Sequence, residues 1–295
     1  THITGANTFS VRLPAAILSV VPIGITFALG KRMFDQKTGI VAALLLSLTP
    51  GNVASGVMMT IDAPFLCCWS IALYGYWRML ERDSNRLLWS MVTVLAVGTG
   101  LLFKQTMLAF PVLAGTFALV SAPDRQEWRR PSFWLTGLSA LGFLAPLLWW
   151  NVQHDWITFE HTGDHFARQH ASTLRRIAVS AEFLASQFGL LSPVTYSLLG
   201  CCLFLSWKNM RKIERREAYL LCFFAPPIAC VLLLSLTQRV EANWPAPFYA
   251  SAIVLLAAAV MDQLACIRLP KEALQRSLAV GCVSILITYA LPFVI

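Results

Sequence analysis

Two short stretches of the sequence place a charged side chain between long apolar runs. TIDAPF, residues 60–65, carries Asp62, and LLFKQTM, residues 101–107, carries Lys104. A carboxylate can orient a hydroxyl group or take its proton, and an ammonium group can neutralise a phosphate. We therefore predict that both side chains line one polar cavity suited to hydroxyl and phosphate chemistry.

Each of these two residues also has a purely structural interpretation. Asp62 precedes Pro64, so it could cap the N-terminus of the next helix and accept its backbone N–H groups. Lys104 could simply extend its amine toward lipid phosphates at the membrane surface. Residue types alone leave both alternatives open.

A third polar stretch, RVEANWPAPFY at residues 239–249, carries Arg239, Glu241, Asn243 and Trp244. Charges of both signs beside an indole suit the recognition of a sugar and its phosphate. Alternatively, Trp244 and Pro245 form only an interfacial anchor and a helix start. We predict that this stretch joins the same substrate-binding cavity.

The fourth polar stretch is WWNVQHDW, residues 149–156, which contains His154 and is followed by His161 and His165. The last two are spaced i,i+4 and would share a helix face, as a pair of metal ligands would. Gly163 between them weakens a helix, and no HExxH pattern is present, which favours ordinary polar contacts. The pair is thus one candidate for a divalent metal site, and phosphate-binding loops and nucleophile elbows are absent.

The composition places these polar residues in a membrane protein. The chain has 295 residues, of which 57% are hydrophobic and only 13% charged, with a mean hydropathy of +0.63. Apolar runs of roughly 20 residues, enough to cross a bilayer as helices, recur along the chain. We predict an all-α polytopic protein with a single domain over residues 1–295 and about ten transmembrane helices. The runs are 12–29, 40–59, 63–80, 87–103, 106–121, 133–151, 186–206, 218–236, 245–264 and 278–295.

The distribution of basic residues predicts the orientation of these helices. Seventeen of the 23 lysines and arginines fall in alternate connections that include 30–39 and 207–217, and the other six fall on the opposite side. This asymmetry places the basic connections in the cytoplasm and explains the net charge of +8 without a nucleic-acid partner. The long outer segment 151–187 is amphipathic, which predicts interfacial helices there.

The eight cysteines lie in apolar runs or near the predicted inner face, and no CxxC pair occurs. Neither a disulfide framework nor a zinc ribbon is expected from this pattern. In the predicted orientation the chain starts on the outer side, and it has neither an initiating Met nor a signal peptide. We therefore expect a preceding helix and part of an outer loop to be missing from this sequence.

Six short motifs, in this order, resemble the polyprenyl-phosphate-dependent membrane glycosyltransferases of the GT-C superfamily. The similarity is to the bacterial branch related to protein O-mannosyltransferases and to aminoarabinose transferases of lipid A, and it covers nearly the whole chain. The motifs are VRLPAA (11–16), LGKRMFDQKTG (29–39), TIDAPF (60–65), GLLFKQTM (100–107), LLWWNVQHDW (147–156) and NWPAPFYAS (243–251).

This resemblance implies an inverting transfer of a sugar from undecaprenyl phosphate or a similar lipid to a hydroxyl or phosphate of a lipid, glycan or protein acceptor. It implies a multi-pass protein of the bacterial inner membrane with its active site facing the periplasm. In that family the acidic residue taken as the catalytic base lies in the first outer loop, which we expect to be missing here.

The resemblance assigns roles to the polar residues of this chain. Asp62 would be a supporting carboxylate and Lys104 would bind the phosphate. The remaining candidates for substrate binding are Arg239, Glu241, Asn243, Trp244 and His154.

Two other classes of protein share the general features of this sequence. A transporter or lipid flippase would also have many spans and a few charges within the membrane. We see no inverted repeat, however, and the conspicuous charges lie at the predicted outer edge and not at the midplane. A structural assembly subunit would leave the polar residues without a role. Glycosyl transfer is therefore the favoured interpretation.

Overall fold

The structure is a computed structural model that describes residues 7–166 and 173–290. Fifteen α-helices occur in this part of the chain, which contains no β-strand. In chain order they are α1 Thr8–Met33, α2 Gln36–Ser47, α3 Pro50–Val57, α4 Asp62–Leu80, α5 Arg86–Phe103, α6 Ala109–Val120, α7 Pro131–Leu141, α8 Ala145–Gln153, α9 Ile157–Phe166, α10 Thr173–Leu191, α11 Pro193–Lys208, α12 Arg215–Cys222, α13 Ala225–Ser235, α14 Tyr249–Val260 and α15 Lys271–Ala290.

Every apolar run of the sequence corresponds to one or two of these helices, so the prediction of an all-α membrane fold is confirmed. Among the described residues, five helices are long and apolar enough to cross a membrane. The number rises to seven if each of two bent helix pairs counts as one span. The count of ten is therefore not established, because several of the predicted runs form short or broken helices.

Two of these breaks occur where a proline follows an apolar run. The axes of α2 and α3 differ by 64°, and Pro50 is the first residue of α3. The axes of α10 and α11 differ by 110°, and Ser192 between them has a φ of 77°. Proline has no N–H and cannot extend the preceding helix. The predicted span 186–206 is thus two helices that meet at Ser192, and the expected helices of segment 151–187 are α9 and α10.

The connections that the sequence predicts on the inner side lie together at one end of the helices. Side chains from different connections contact each other there. The nitrogen–oxygen pairs are Arg32–Glu81 at 2.9 Å, Arg215–Asp124 at 2.8 Å, Gln263–Asp35 at 3.1 Å, and Arg86 with Glu127. We call this end the basic end.

The basic end fixes where Asp62 and Lys104 must lie. Helix α4 begins at Asp62 and ends at Leu80, beside the basic end, and α5 returns from Arg86 to Phe103. These two helices pack against each other along their length. Because they are antiparallel, the start of α4 and the residue after α5 lie side by side at the opposite end of the molecule.

The core that holds these helices is aromatic at its centre. Trp69 and Tyr76 of α4 pack edge-to-face on Phe110, and Tyr219 of α12 and Phe223, which directly follows this helix, complete the cluster. Such ring pairs contribute about 0.5–1.5 kcal/mol each beyond burial of their area. Helix α14 is buried along its whole length. The segment that enters α14, with Asn243, is therefore held against α4 by the core.

Candidate active site

Asp62 is the first residue of α4, and its carboxylate does not cap the helix. The N-cap residue is Ile61, whose apolar side chain makes no capping hydrogen bond. The Asp62 carboxylate instead accepts hydrogen bonds from side chains of other segments. A nearby hydroxyl, Thr60 Oγ1, lies 3.4 Å from Asp62 Oδ2 and 3.3 Å from the Asp62 amide nitrogen. The capping interpretation is therefore not what the structure shows.

Lys104 lies where α5 ends and the 3₁₀ helix Gln105–Leu108 begins. Its extended backbone, with φ of −153° and ψ of 126°, turns the side chain back toward the start of α4. Lys104 Nζ is 2.9 Å from Asp62 Oδ1, and only 16% and 20% of the two side chains are exposed. The ammonium also lies 5.7 Å from the ring centroid of Phe65. The lysine is thus held by a carboxylate and an aromatic ring, and it is not extended freely into solvent.

Asn243 provides the third polar group of this site. Its Nδ2 donates to Asp62 Oδ2 at 2.8 Å, which joins the segment after α13 to the start of α4. Asp62, Lys104 and Asn243 come from positions far apart in the sequence, and we refer to them as the Asp62 triad. The amide and the ammonium bind different carboxylate oxygens, so they fix the orientation of Asp62.

A buried hydrogen-bond network supports the Asn243 segment from behind, and the sequence analysis did not identify it. Gln187 of α10 donates to the carbonyl oxygen of Ala242 at 3.1 Å. Tyr249 of α14 donates its hydroxyl hydrogen to Gln187 Oε1 at 2.7 Å. Both side chains are buried. A glutamine within a run that is otherwise mostly small and apolar was the available signal for this network.

The Asp62 triad lies beside a cavity of about 300 Å³ that Asp62 and Asn243 line directly. Its walls come from α1, α2, α3, α4, α10 and α14. Asn52 and Ser55 of α3 add polar groups, and Leu66 adds an apolar surface. Pockets for small ligands start at about this volume and combine an apolar wall with a few polar groups. The cavity can hold one sugar-sized group or a short apolar segment.

Arg239 and Glu241 belong to the same polar stretch as Asn243, but they pair with each other and not with the Asp62 triad. Arg239 Nε is 3.8 Å from Glu241 Oε1, and the two side chains are 68% and 60% exposed. Within the described part of the chain, neither side chain contacts Asp62 or Lys104. Of the three side chains predicted to converge on one cavity, Asp62 and Lys104 form an ion pair, but only Asp62 lines the cavity.

Trp244 directly follows Asn243 of the Asp62 triad in the chain, whereas His154 lies at the end of α8. Trp244 packs against the core, and its backbone N–H donates to the Glu241 carbonyl at 3.1 Å. The exposed His154 ring stacks on Trp150 with a centroid distance of 4.1 Å. Neither residue lines the 300 Å³ cavity.

The WWNVQHDW motif forms a turn that is organised by Asn151. This fully buried residue donates from Nδ2 to Leu147 O at 2.9 Å and accepts from the Thr158 backbone N–H at 3.2 Å. Its carbonyl oxygen accepts from the backbone N–H groups of His154 and Trp156. Asp155 and Trp156 have φ of 52° and 59°. The motif therefore positions α8 against α9, whatever else it does.

The predicted metal pair cannot be placed by side-chain geometry. His161 and His165 belong to α9, but their side chains lie outside the described residues. Among the residues described, no group of three His, Cys, Asp or Glu side chains has the geometry of a metal site. The eight cysteines, all of which are described, are free thiols.

Comparison with known sequences shows which protein family matches this chain. The profile of a family described as dolichyl-phosphate-mannose-protein mannosyltransferase matches residues 1–150. The lipid A galacturonosyltransferase RgtD of Rhizobium johnstonii is 28% identical over 260 residues, which are 86% of this chain and 52% of that protein. An undecaprenyl phosphate-α-4-amino-4-deoxy-L-arabinose arabinosyl transferase of Pseudomonas aeruginosa is 27% identical over 148 residues, 49% of this chain and 26% of that protein. The chain spans about half the length, or less, of these relatives.

Solved structures show the same fold. The crystal structure of ArnT from Cupriavidus metallidurans in the apo state matches with a TM-score of 0.66 at 19% identity, over 90% of this chain and 47% of that chain. The structure of that protein bound to undecaprenyl phosphate matches with a TM-score of 0.68 at 18% identity, over 94% of this chain and 49% of that one. The predicted GT-C membrane fold is thereby confirmed.

Proposed function

Since this chain belongs to the dolichyl-phosphate-mannose-protein mannosyltransferase family, we propose that it forms the membrane domain of a glycosyltransferase. The enzyme moves a sugar from a polyprenyl-phosphate donor, such as undecaprenyl phosphate, to a hydroxyl or phosphate of an acceptor lipid. Glycan or protein acceptors are the alternatives. The names of the lipid A galacturonosyltransferase and the arabinosyl transferase among its relatives support a lipid acceptor.

The observation that carries this proposal is the Asp62 triad beside its cavity. A lipid-linked sugar phosphate presents an anion, a ring with hydroxyl groups and a long apolar chain. Lys104 supplies a cation, Asp62 and Asn243 supply an acceptor and donors for hydroxyl groups, and the cavity supplies apolar walls. The cation, the hydrogen-bonding groups and the apolar walls thus match the phosphate, the sugar ring and the apolar chain of the lipid-linked sugar.

The reaction that follows is a direct displacement at the anomeric carbon. An acceptor oxygen forms a bond to that carbon while the carbon–oxygen bond to the lipid phosphate breaks, and the acceptor proton passes to a general base. The bonding electrons leave with the phosphate, which gains negative charge in the transition state. One displacement inverts the configuration of the anomeric carbon. The enzyme must therefore hold a cation at the leaving phosphate.

Lys104 is the residue that we propose for this task. Its ammonium is a point charge that is already ordered by Asp62 at 2.9 Å, so little reorganisation is needed when phosphate charge develops. Asp62 would keep Lys104 in place and bind a sugar hydroxyl through its remaining lone pairs, with Asn243 orienting it. We assign the general base to none of the described residues.

The other predicted residues have weaker support from the geometry. Glu241, Trp244 and His154 remain proposed substrate-binding residues that would contact the acceptor or the sugar from the edge of the site. Arg239 likewise remains a proposed substrate-binding residue, for the phosphate of the lipid-linked sugar. A divalent metal at His161 and His165 remains a proposal that rests on their i,i+4 spacing alone.

We propose that the Asp62 triad faces the periplasm and that the basic end faces the cytoplasm of a bacterial inner membrane. The support is the positive-inside asymmetry, together with the position of the triad at the end opposite the basic end. Single cysteines at 207–217 and at 152–160, in a cysteine-depleted full-length protein, can be labelled in intact spheroplasts with an impermeant reagent. Labelling at 152–160 and protection at 207–217 are expected. Labelling at 207–217 would overturn the orientation and with it a periplasmic reaction.

The function itself is tested by mass analysis of lipid, glycan and protein fractions from cells with and without the full-length gene. Deletion should remove one sugar increment from an acceptor lipid and let the polyprenyl-phosphate sugar accumulate. The missing increment also identifies the sugar and its acceptor. If every envelope component keeps its sugar complement after deletion, the glycosyltransferase proposal is wrong.

A further inference from the structure

A second cavity, of about 190 Å³, lies between α6 and α7 near the basic end of the molecule. Its deep end reaches the buried side chains of Tyr76 and Phe110, and its mouth includes Trp134 and Leu138, two exposed residues of α7. The space stays open because α7 packs along α5, whereas α6 and α7 are joined mainly through the 3₁₀ helix Ala122–Arg129. We call this cavity the α6–α7 pocket.

The polar side chains that line the α6–α7 pocket are already hydrogen-bonded within the protein, each to a backbone carbonyl oxygen. The donor–acceptor pairs are Tyr76–Ala114 at 2.9 Å, Thr93–Trp89 at 2.7 Å, Trp128–Gly115 at 3.3 Å, Trp134–Trp128 at 2.9 Å and Thr136–Ser132 at 2.7 Å. The rest of the lining is apolar. Water gains little in such a space, yet protein interiors are normally filled to high density. The occupant that fits is therefore a hydrocarbon chain.

Aromatic and basic residues lie together beside the mouth of the pocket. Trp128, Phe133 and Trp134 pack on one another with ring centroids 5.0 to 5.8 Å apart. Arg129 and Arg130 directly follow Trp128, and both are exposed. Tryptophan collects at the headgroup level of a bilayer, and arginines there attract anionic headgroups. The surroundings of the mouth thus suit the charged end of a lipid.

The positive charge of these two arginines exceeds the negative charge beside them. Glu127 Oε1 lies 3.4 Å from Arg130 Nε, but the buried Glu127 carboxylate is also paired with Arg86. The Arg129 side chain has no ion pair within the described part of the chain. One carboxylate against three guanidinium groups leaves a net positive charge at the mouth of the pocket.

We propose that the α6–α7 pocket binds one acyl chain of an anionic phospholipid whose phosphate lies against Arg129 and Arg130. The volume suits part of one chain and is too small for a whole lipid. The phospholipid belongs to the leaflet that faces the basic end. The polyprenyl-phosphate donor is disfavoured here, because Lys104, which we propose to hold its phosphate, lies at the opposite end of the molecule. Phospholipid binding does not require sugar transfer, so the two proposals can fail separately.

Binding is measured on the full-length protein, purified in detergent and freed of lipid. Dioleoyl phosphatidylglycerol is titrated, and its stabilisation of the protein is followed by thermal unfolding. Dioleoylglycerol has the chains without the phosphate and should need at least about fivefold more for half-saturation, since one arginine near an anionic lipid contributes about that much. Glycerol phosphate has the phosphate without the chains and should not stabilise the protein. If either compound stabilises it as well as phosphatidylglycerol does, the proposal is wrong.

Gly137 allows the pocket to be filled without disturbing the fold. It lines the pocket, and a Cβ built on it would have no atom within 4 Å outside its own helix. Gly137→Leu should leave the melting temperature of the lipid-free protein unchanged or raise it, because leucine favours a helix more than glycine does. It should raise the half-saturating concentration of phosphatidylglycerol by about tenfold, the effect of excluding two methylene groups. Gly137→Ala, with one methyl group in the same space, should raise it by about threefold and replaces the leucine variant if that does not fold.

Gly200→Leu is the matched control for the pocket. Gly200 of α11 is equally free of neighbours within 4 Å but does not line the pocket. The substitution gains the same helix propensity, so any effect on the melting temperature alone is accounted for. It should leave the half-saturating concentration of phosphatidylglycerol unchanged.

Arg129 tests the position of the phosphate. Arg129→Ala should raise the half-saturating concentration of phosphatidylglycerol by about fivefold, whereas Arg129→Lys keeps the charge and should stay near wild type. Arg276→Ala is the control, because Arg276 is an exposed arginine of α15, which packs on α11 and α2; it should have no effect. Unchanged binding in the folded Gly137 variants would overturn the placement of the chain, and unchanged binding in Arg129→Ala would overturn the placement of the phosphate.

Discussion

Replacing Lys104 by alanine separates the catalytic role of this lysine from its structural role. At roughly 4 Å between charge centres and an effective dielectric of about 20, the gross attraction between Lys104 and Asp62 is about 4 kcal/mol. Desolvation of both groups offsets much of it. In the variant, Asp62 keeps its hydrogen bond from Asn243 Nδ2, which is 2.8 Å long in the intact protein. Its side chain is 20% exposed, so solvent also stabilises the charge. We therefore expect Lys104→Ala to lower the free energy of unfolding by only about 1–2 kcal/mol.

The effect on turnover should be larger than this stability loss. Removal of one donor that stabilises developing charge costs about 10²–10³ in rate, or about 2.7–4 kcal/mol. We expect that loss for Lys104→Ala in single-turnover transfer from a defined polyprenyl-phosphate sugar by the full-length enzyme. Lys104→Arg keeps the charge but changes the reach and donor geometry, so its rate should fall between alanine and wild type.

The chain offers a matched control in Lys31. Lys31 Nζ lies 5.9 Å from the Phe27 ring, much as Lys104 Nζ lies 5.7 Å from the Phe65 ring. Lys31 is at the basic end and has no carboxylate partner among the described ion pairs, so Lys31→Ala should change the rate by no more than about twofold. If folded Lys104→Ala also turns over within a few-fold of wild type, Lys104 is an interfacial anchor and the mechanism is refuted.

Three further predictions concern how the site and the helices around it are held. Asn243→Asp places a second carboxylate against Asp62 and should lower kcat far more than Asn243→Ala does. Equal losses of kcat in the two variants would mean that charge at this position is unimportant. Gln187→Ala leaves the buried Tyr249 hydroxyl without its acceptor and should lower the free energy of unfolding by about 1–3 kcal/mol, which equilibrium denaturation can check. Gly39→Ala would bring its Cβ within 2.6 Å of Phe27 O and should lower the melting temperature of the protein. Gly24→Ala, whose Cβ would have nothing within 4 Å, should leave the melting temperature unchanged or raise it. Similar thermal shifts for both variants would contradict the close packing of α1 on α2.

The pairing of Asp62 with Lys104 could be anticipated from the order of apolar runs. Asp62 starts one helix and Lys104 ends the next, so antiparallel packing of α4 and α5 brings them to the same end. The resemblance seen in six short motifs led to the family that the chain belongs to. Both conclusions depend on local sequence and on the alternation of helix direction, which sequence patterns report well.

The Gln187–Tyr249 hydrogen bond and the position of Glu241 outside the Asp62 triad could not be anticipated in this way. Gln187 and Tyr249 are 62 positions apart, and no local sequence pattern indicates that α10 and α14 bring them together. Glu241 is two residues from Asn243, yet the irregular turn between α13 and α14 directs the two side chains differently. The bend at Ser192 likewise depends on how α10 and α11 pack, and an apolar run by itself predicts one continuous span.

Transfer of a sugar from lipid to lipid requires cleavage of the bond between the sugar and the donor phosphate. This cleavage can be measured with the full-length protein in sealed vesicles and a donor that carries one label on the sugar and another on the polyprenyl phosphate. We predict that the sugar label appears on the acceptor lipid, that an equal amount of free polyprenyl phosphate is formed, and that Lys104→Ala suppresses both. Movement of the doubly labelled, intact donor from one leaflet to the other, without formation of a new glycoside, would contradict it and show a lipid transporter instead.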